Sequence, residues 1–228
     1  HMNIARTGLL RAGLPVTVPG QSVDRQCASG LMAIAIAAKQ IISDGMQITI
    51  GGGVEQISLV QNAQMNISNW RDPWIDAKLP QTYMSMLETA EIVADRYGVS
   101  RDAQDEYALQ SQQRTAAAQA AGRFDDEIVP LTTIMQVTDK STGEVSEKEI
   151  TLAKDEGNRP ETTLESLTNL KPVFRDGQRI AEGRFITAGN ASQLSDGASA
   201  SVLMERSEAE KRGLAPLGLY RGISVAGV

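Results

Sequence analysis

Residues 31–42 (LMAIAIAAKQII) are apolar on almost every face of a helix, which limits the folds open to the chain. A helix that is apolar all round is buried in a protein rather than lying at its surface. The strand-like runs PVTV (15–18) and QSVDRQ (21–26) precede it, and GMQITIGGGVE (45–55) follows with the pattern of a buried strand ending in glycines. Strand, helix and strand in this order predict a βαβ unit with a parallel sheet, and hence an α/β protein.

The pattern changes after residue 58. Residues 61–82 have no clear period, whereas 84–97 and 101–121 predict helices, the second capped by Ser100 and ended by Gly122. Residues 128–152 alternate as a β-hairpin does. From 176 onward FITAGNAS, DGASASVLM and LGLYRGISVAGV again indicate strands or turns. We therefore expect a core segment at 3–58, a different domain at 59–175, and a return to the core at 176–228.

The composition disfavours several classes of protein. The chain is 41% apolar and 22% charged, with a net charge of −6, which disfavours a nucleic-acid partner because such partners select basic surfaces. A single cysteine forms no internal disulfide, which indicates a reducing compartment. No signal peptide and no apolar run of bilayer-spanning length is evident, so we expect a cytoplasmic protein with no membrane partner.

Both ends of the sequence look interrupted. NIARTGLLRAGLP predicts a helix with no strand before it, and the last residues predict a strand with nothing after it. Because a compact domain rarely starts and stops within an element, we expect the chain to be a fragment.

Cys27, in VDRQCASG, is the candidate nucleophile. It lies where a predicted strand gives way to the buried helix, and the unpaired N–H groups and positive dipole end of such a helix favour a thiolate. The small residues Ala28, Ser29 and Gly30 leave room for a substrate. A lone cysteine is more often only a small apolar residue, so position alone does not decide its role.

Other candidate motifs have simpler explanations. The glycines at 51–53 indicate close backbone packing and do not match a phosphate-binding fingerprint. The small residues at 187–200 (TAGNASQLSDGASA) suit a narrow channel but also an ordinary loop. The acidic cluster at 125–127 is best explained as an exposed charged patch, so no metal site is predicted.

Three blocks, in order, resemble the thiolase family. VDRQCASGLMAIAIAAKQIISDG with ITIGGGVEQIS is similar to the segment in which a Cys-x-Ser-Gly tetrad opens a buried helix. The stretch from ETAEIVADRYGVS to GRFDDEIVP resembles the family's loop domain, and TAGNASQLSDGASASVLM resembles a specific family signature. The resemblance implies a layered α-β-α-β-α fold, of which this chain would form the amino-terminal half with its coenzyme-binding loop domain.

The resemblance also implies a mechanism and a set of site residues. Cys27 would take an acyl group from a CoA thioester and pass it to CoA, in 3-ketoacyl-CoA thiolysis, or to the carbanion of acetyl-CoA, in Claisen condensation. CoA and acyl-CoA would be substrates, with no resident cofactor, and the protein would be a homodimer or homotetramer. The pantetheine arm would lie along Met86, Phe174, Ala188 and Ser192, and the nucleotide end near Arg159 and Ser166. Ser85 stands where some members have a histidine.

The family's second half supplies an activating histidine and a second cysteine in segments that do not occur here, so we expect the chain alone to be nearly inert. Three alternatives stay open. A decarboxylating or hydroxymethylglutaryl-type condensing enzyme lacks the long loop domain. A non-catalytic CoA- or lipid-binding module would not need an intact Cys27. The third alternative is an inactive fragment.

Overall fold

The computed structural model describes residues 3–227, so Val228, the last residue of the predicted terminal strand, lies outside the described residues. One turn of 3-10 helix, Gln26–Ala28, leads directly into the second helix, and another 3-10 helix covers Pro80–Tyr83. The remaining elements, in chain order, are α1 (Ile4–Arg11), α2 (Ser29–Asp44), β1 (Ile48–Glu55), α3 (Ile57–Val60), α4 (Pro73–Lys78), α5 (Met86–Tyr97), α6 (Arg101–Ala120), β2 (Leu131–Thr138), β3 (Val145–Leu152), α7 (Leu164–Thr168), β4 (Gly197–Met204) and α8 (Arg206–Lys211).

The chain divides into two compact units. One consists of the residues up to Met65 together with those from Leu194 onward, and the other is Asn66–Gln193. The first unit therefore contains α1 to α3, β1, β4 and α8, and the second contains α4 to α7 with β2 and β3. The segment boundaries expected from the sequence stay a prediction.

In the first unit, α2 packs on a two-stranded antiparallel sheet. β1 pairs with β4 in a register that sets Ile48 opposite Met204 and Glu55 opposite Gly197. The Thr49 hydroxyl donates to the carbonyl of Ala37 at 3.1 Å, which ties the strand to the buried small-residue face of the helix. α2 ends at Gly45, whose φ of 70° is left-handed and suits glycine.

In the second unit, side-chain caps define the two long helices. The Ser85 hydroxyl accepts from the N–H of Glu88 at 3.1 Å at the start of α5, and that of Ser100 accepts from Ala103 at 3.1 Å at the start of α6. β2 and β3 form an antiparallel hairpin in which Leu131 faces Leu152. Ser100 thus caps α6 as predicted, and Ser85 caps α5 in the same way.

The structure confirms the α/β class, the helices predicted at the start of the chain and at 31–42, 84–97 and 101–121, and the hairpin. The predicted burial of the helix at 31–42 and of the strand after it is wrong for the described residues, because the buried residues of α2 are Ala35, Ala37 and Ala38 and that of β1 is Gly51. The predicted parallel sheet is wrong for the described residues, because both sheets in residues 3–227 are antiparallel. Residues 188–190 form a turn within 185–192, which has no helix or strand, and 217–227 have no regular structure, so the strand predicted over these last residues is wrong.

The predicted strands at 15–18 and 21–26 are also wrong. The Arg6 guanidinium donates to the carbonyls of Val16, at 2.8 Å, and Val18, so a side chain occupies the acceptors that a neighbouring strand would need. In the second run, the Asp24 carboxylate accepts the N–H of Gln26 at 2.8 Å and closes a turn. Local side-chain bonds of this kind compete with strand pairing.

One helical stretch, Gln26–Asp44, has the length and apolar composition of a membrane span. The expectation that no run reaches that length is therefore wrong. A core helix of a globular protein passes the same test, and α2 packs against β1 and β4, so the stretch is weak evidence for a membrane segment.

Candidate functional site

Cys27 is exposed and lies in the 3-10 turn that opens α2. The preceding residue, Gln26, has a φ of 49°, in the left-handed region that residues other than glycine rarely adopt. Backbone strain of this kind is found most often at functional sites. The cysteine therefore stands on a sharp, strained entry into a helix.

Ser29 braces this turn. Its hydroxyl donates to the carbonyl of Gln26 at 2.7 Å and accepts from the N–H of Arg25 at 2.7 Å. The residue at the N-cap position of α2 is Ala28, which offers no side-chain acceptor to the helix. The positive end of the helix dipole is thus left without a capping side chain beside the sulfur.

The start of α2 has space around it. A Cβ added to Gly30 would meet no heavy atom within 4 Å other than its chain neighbours and the helix's own backbone. Deeper along the helix, a Cβ on Gly51 would lie 2.7 Å from the Cα of Ile34. The glycines of β1 therefore let the strand approach α2 closely, while the amino end of the helix stays open.

The six predicted coenzyme-binding residues all belong to the second unit, whereas Cys27 belongs to the first. Met86 is 80% exposed at the first position of α5. Arg159, Ala188 and Ser192 are exposed as well. These four side chains are available to a ligand.

Phe174 and Ser166 are less available. Phe174 is 8% exposed, and its ring lies in the interior of the unit. The Ser166 hydroxyl is engaged in a capping box, accepting from the N–H of Thr163 at 3.1 Å and donating to its carbonyl at 2.7 Å. Their proposed ligand contacts stay predictions.

Sequence reasoning missed three buried acids in the same unit. Glu88, Glu91 and Asp105 are 1%, 2% and 0% exposed, although each carries a carboxylate. Burial raises the pKa of Glu88, but hydrogen bonds from the N–H groups of Arg179, Gln178 and Ile180 outweigh it and hold that pKa below its ordinary value. The local sequence does not mark them, since two glutamates three residues apart on a helix are typical of a solvated face.

No group of three potential metal ligands occurs within residues 3–227. The described chain offers an exposed thiol at a strained helix entry in its first unit and exposed candidate residues for coenzyme binding in its second.

The fold and the exposed thiol define an α/β protein with a candidate cysteine nucleophile at a helix start, and comparison with known proteins gives the family. A family model for the thiolase N-terminal domain matches residues 1–207. The chain is 44% identical over 231 residues to a Bacillus subtilis 3-ketoacyl-CoA thiolase, covering 100% of this chain and 56% of that protein. It is 43% identical over 227 residues to the human peroxisomal 3-ketoacyl-CoA thiolase, covering 99% and 50%. The chain belongs to the thiolase family.

Solved structures agree with this assignment. A Bacillus anthracis acetyl-CoA acetyltransferase matches with a TM-score of 0.69 and 37% identity, over 95% of this chain and 53% of that one. A human mitochondrial 3-ketoacyl-CoA thiolase in complex with CoA matches with a TM-score of 0.69 and 34% identity, over 95% and 52%. The predicted thiolase-like fold is confirmed. The chain spans about half the length of the relatives that it matches.

The predicted cytoplasmic location is wrong. Mouse and human relatives at 43% identity are peroxisomal proteins, although a bacterial relative is similar to the same degree. A lone cysteine and the lack of a secretory signal disfavour an oxidising compartment only. They do not separate the cytosol from a peroxisome, whose address is a short signal read by a receptor.

Proposed function

We propose that the protein containing this chain is a thiolase that transfers an acyl group between CoA thioesters, with Cys27 as the nucleophile. The observation that carries the proposal is the exposed thiol on the strained turn at the uncapped start of α2. The names of the relatives, which are 3-ketoacyl-CoA thiolases, support thiolysis in fatty-acid degradation as the reaction.

In the degradative direction, the Cys27 sulfur attacks the 3-carbonyl carbon of a 3-ketoacyl-CoA. A bond forms between sulfur and C3, the C2–C3 bond breaks, and C2 leaves as the carbanion of acetyl-CoA, which takes up a proton. The sulfur of a second CoA, having lost its proton, then attacks the thioester carbon and releases the Cys27 thiolate. The synthetic direction reverses these steps.

Two proton transfers accompany this chemistry, and each is typically worth roughly 10²- to 10⁴-fold in rate. The only histidine of the sequence is His1, and Cys27 is its only cysteine. We propose that the groups that move the protons come from the segment corresponding to the other half of the relatives. The chain alone is then a slow acyl acceptor.

We also propose that the loop domain, residues 59–175, and the signature that follows it hold the coenzyme. Met86, Ala188 and Ser192 contact the pantetheine arm in this proposal, and their exposure supports it. Arg159, also exposed, approaches the nucleotide phosphates. Phe174 and Ser166 complete the contacts proposed for the arm and the nucleotide end, respectively.

A homodimer or homotetramer is the proposed assembly. On one face of the β1–β4 pair the residues are all apolar, and Ile50 and Val202, which face each other there, are 52% and 61% exposed. A surface of this kind in an isolated chain supports further protein packing on it. Sedimentation of the full-length protein tests the assembly.

The experiment for the reaction is intact-mass measurement of the chain after incubation with acetoacetyl-CoA, with Cys27→Ala as the matched control. We expect slow gain of one acetyl group that is absent from the control. An adduct of equal size on Cys27→Ala would overturn the assignment of the nucleophile. No adduct, together with slower alkylation of Cys27 in the presence of CoA, would instead favour the non-catalytic CoA-binding module.

A further inference from the structure

The segment from Phe174 to Ser192, in the second unit, has almost no regular structure, yet its backbone is held at many points. The Glu88 carboxylate accepts from the N–H groups of Gln178, at 3.0 Å, and Ile180, at 3.1 Å, and from that of Arg179 between them. A carboxylate on a helix thus replaces the partner strand that such a segment lacks.

One turn further along α5, Glu91 does the same for the next part of the segment. Its carboxylate accepts from the N–H groups of Arg184, at 2.9 Å, and Phe185, at 3.1 Å, and from that of Ile186, at 2.8 Å. Two runs of three consecutive backbone N–H groups, at 178–180 and 184–186, therefore donate to two buried carboxylates on one face of α5. Carboxylate acceptors make stronger hydrogen bonds than neutral ones, and buried charges without such partners are costly.

Glycines make room for both carboxylates. A Cβ on Gly177 would lie 2.6 Å from the Cδ of Glu88, and one on Gly183 would lie 2.7 Å from Oε1 of Glu91. A side chain at either glycine would therefore collide with the carboxylate that holds the segment.

A third buried carboxylate fixes the turn that follows. Asp105 accepts from the Nδ2 of Asn190 at 3.0 Å, and Asn190 also donates to the carbonyl of Phe185 at 2.9 Å. The Asn190 oxygen accepts from the N–H of Thr187 at 2.8 Å. Ala188, the exposed residue of this turn, is therefore held from both sides, by Glu91 before it and by Asn190 after it.

We infer that Glu91, with Glu88 and the Asp105–Asn190 pair, is a positioning residue that sets the backbone of the Ala188 turn for the pantetheine arm of CoA. The inference rests on the proposed function, which assigns Ala188 and Ser192 to that arm. Glu91 itself is 2% exposed, so its side chain is not accessible to a ligand. It acts by fixing the direction of the peptide groups that the ligand meets.

The test uses two fragments of the coenzyme, pantetheine and adenosine 3′,5′-diphosphate. The dissociation constant of each is measured for the unaltered chain and for its Glu91→Gln variant. The variant keeps the size of the side chain but removes the charge and part of its capacity to accept hydrogen bonds. We expect the dissociation constant for pantetheine to rise at least about tenfold, while that for the nucleotide changes less than about twofold. A purely structural role would move both together.

Asp95→Asn is the matched control. Asp95 lies on the same helix and pairs with Arg184 of the same segment, but this pair is 60% and 64% exposed. We expect it to alter neither constant by more than about twofold, because exposed ion pairs contribute little. Hydrogen exchange reports the fold, with the amides of 184–186 expected to exchange faster in Glu91→Gln and those of α6 expected to stay protected.

Each other result overturns the inference. Unchanged pantetheine affinity in Glu91→Gln would show that the turn does not need the carboxylate. If Glu91→Gln and the milder variant Thr187→Val each lost affinity for pantetheine and for the nucleotide to the same extent, these residues would serve general stability only. No binding of either fragment, or of CoA, by the unaltered chain would overturn the proposed function, and the inference with it.

Discussion

The Cβ that Gly51 lacks would lie 2.7 Å from the Cα of Ile34, so β1 and α2 meet backbone to backbone at this point. Two positions along the same strand, a Cβ on Gly53 would lie 3.6 Å from the Cα of Gly30, an ordinary contact. The two glycines look equivalent in the sequence but have different amounts of space.

Gly51→Ala is expected to force the helix away from the strand and to destabilise the first unit by about 1–3 kcal/mol, the usual cost of overpacking. Gly53→Ala is the matched control and should change stability by less than about 0.5 kcal/mol. Hydrogen exchange of the α2 amides in increasing denaturant measures this unit directly, because both tryptophans belong to the other one. Equal effects of the two variants would contradict the close approach.

Gln26 provides a second prediction, because its φ of 49° is unfavourable for a residue with a Cβ. Gln26→Val should destabilise the first unit relative to Gln26→Ala, since a β-branched residue fits this region worst. The free energy of unfolding of Gln26→Gly should exceed that of Gln26→Ala by up to about 1–2 kcal/mol. The extra conformational entropy that glycine gives the unfolded chain reduces this difference. The same exchange measurement ranks the three variants.

Alkylation of Cys27 provides the control for that series. Glycine keeps the left-handed conformation, so the alkylation rate of the thiol in Gln26→Gly should equal that of the unaltered chain. A stability order in which valine is the best of the three would show that Gln26 is not strained.

Much of the second unit could be predicted from local sequence. Ser85 and Ser100 begin helices and Gly98 ends one, because capping depends on neighbouring residues only. The hairpin follows from alternation across a polar turn. The thiolase resemblance indicated Cys27 as the candidate nucleophile because the tetrad is contiguous, and that role stays a prediction.

Features that depend on distant residues were not predictable in this way. β1 pairs with β4 in an antiparallel sense, although a helix after a strand-like run suggested a parallel unit. The run at 15–18 is not a strand because Arg6 occupies its carbonyls. The buried glutamates of α5 look like ordinary surface acids until the segment around 178–186 is folded against them.

Glu88 predicts how stability depends on pH. Its pKa is held below the ordinary value of 4.5, because the N–H bonds of the 178–180 segment outweigh the effect of burial. A carboxyl with a depressed folded pKa contributes stability that is fully present above its unfolded pKa and is lost as the pH falls through its folded pKa. The second unit should therefore lose stability as the pH falls below about 4.5.

Glu88→Gln tests this assignment. The variant should be less stable at neutral pH by about 1–3 kcal/mol, because buried donors lose their partner, and its stability should fall less steeply in acid. Tryptophan fluorescence during urea denaturation, measured between about pH 6 and pH 3, gives both quantities. Parallel pH curves for the two proteins would assign the acid dependence to other carboxyls.

The turn of the β2–β3 hairpin gives the last prediction. The Asp139 carboxylate accepts from the N–H groups of Ser141, at 2.7 Å, and Thr142, at 2.9 Å, and from the Ser141 hydroxyl at 2.6 Å. Together these bonds lower the pKa of Asp139 from 3.8 to about 2, and the bond from the Ser141 hydroxyl contributes most. Because the folded pKa is depressed, the contribution of this group is present above 3.8 and disappears as the pH falls through about 2.

The turn should therefore stay ordered at about pH 3, where a carboxyl with an ordinary pKa is mostly protonated. Carboxyl ¹³C shifts of Asp139, together with the amide shifts of Ser141 and Thr142, should titrate with a midpoint of about 2. Asp139→Asn keeps one side-chain oxygen as an acceptor and should hold the turn without this titration, whereas Asp139→Ala should loosen it at every pH. A midpoint near 3.8 in the unaltered chain would show that the carboxylate does not hold the turn in solution.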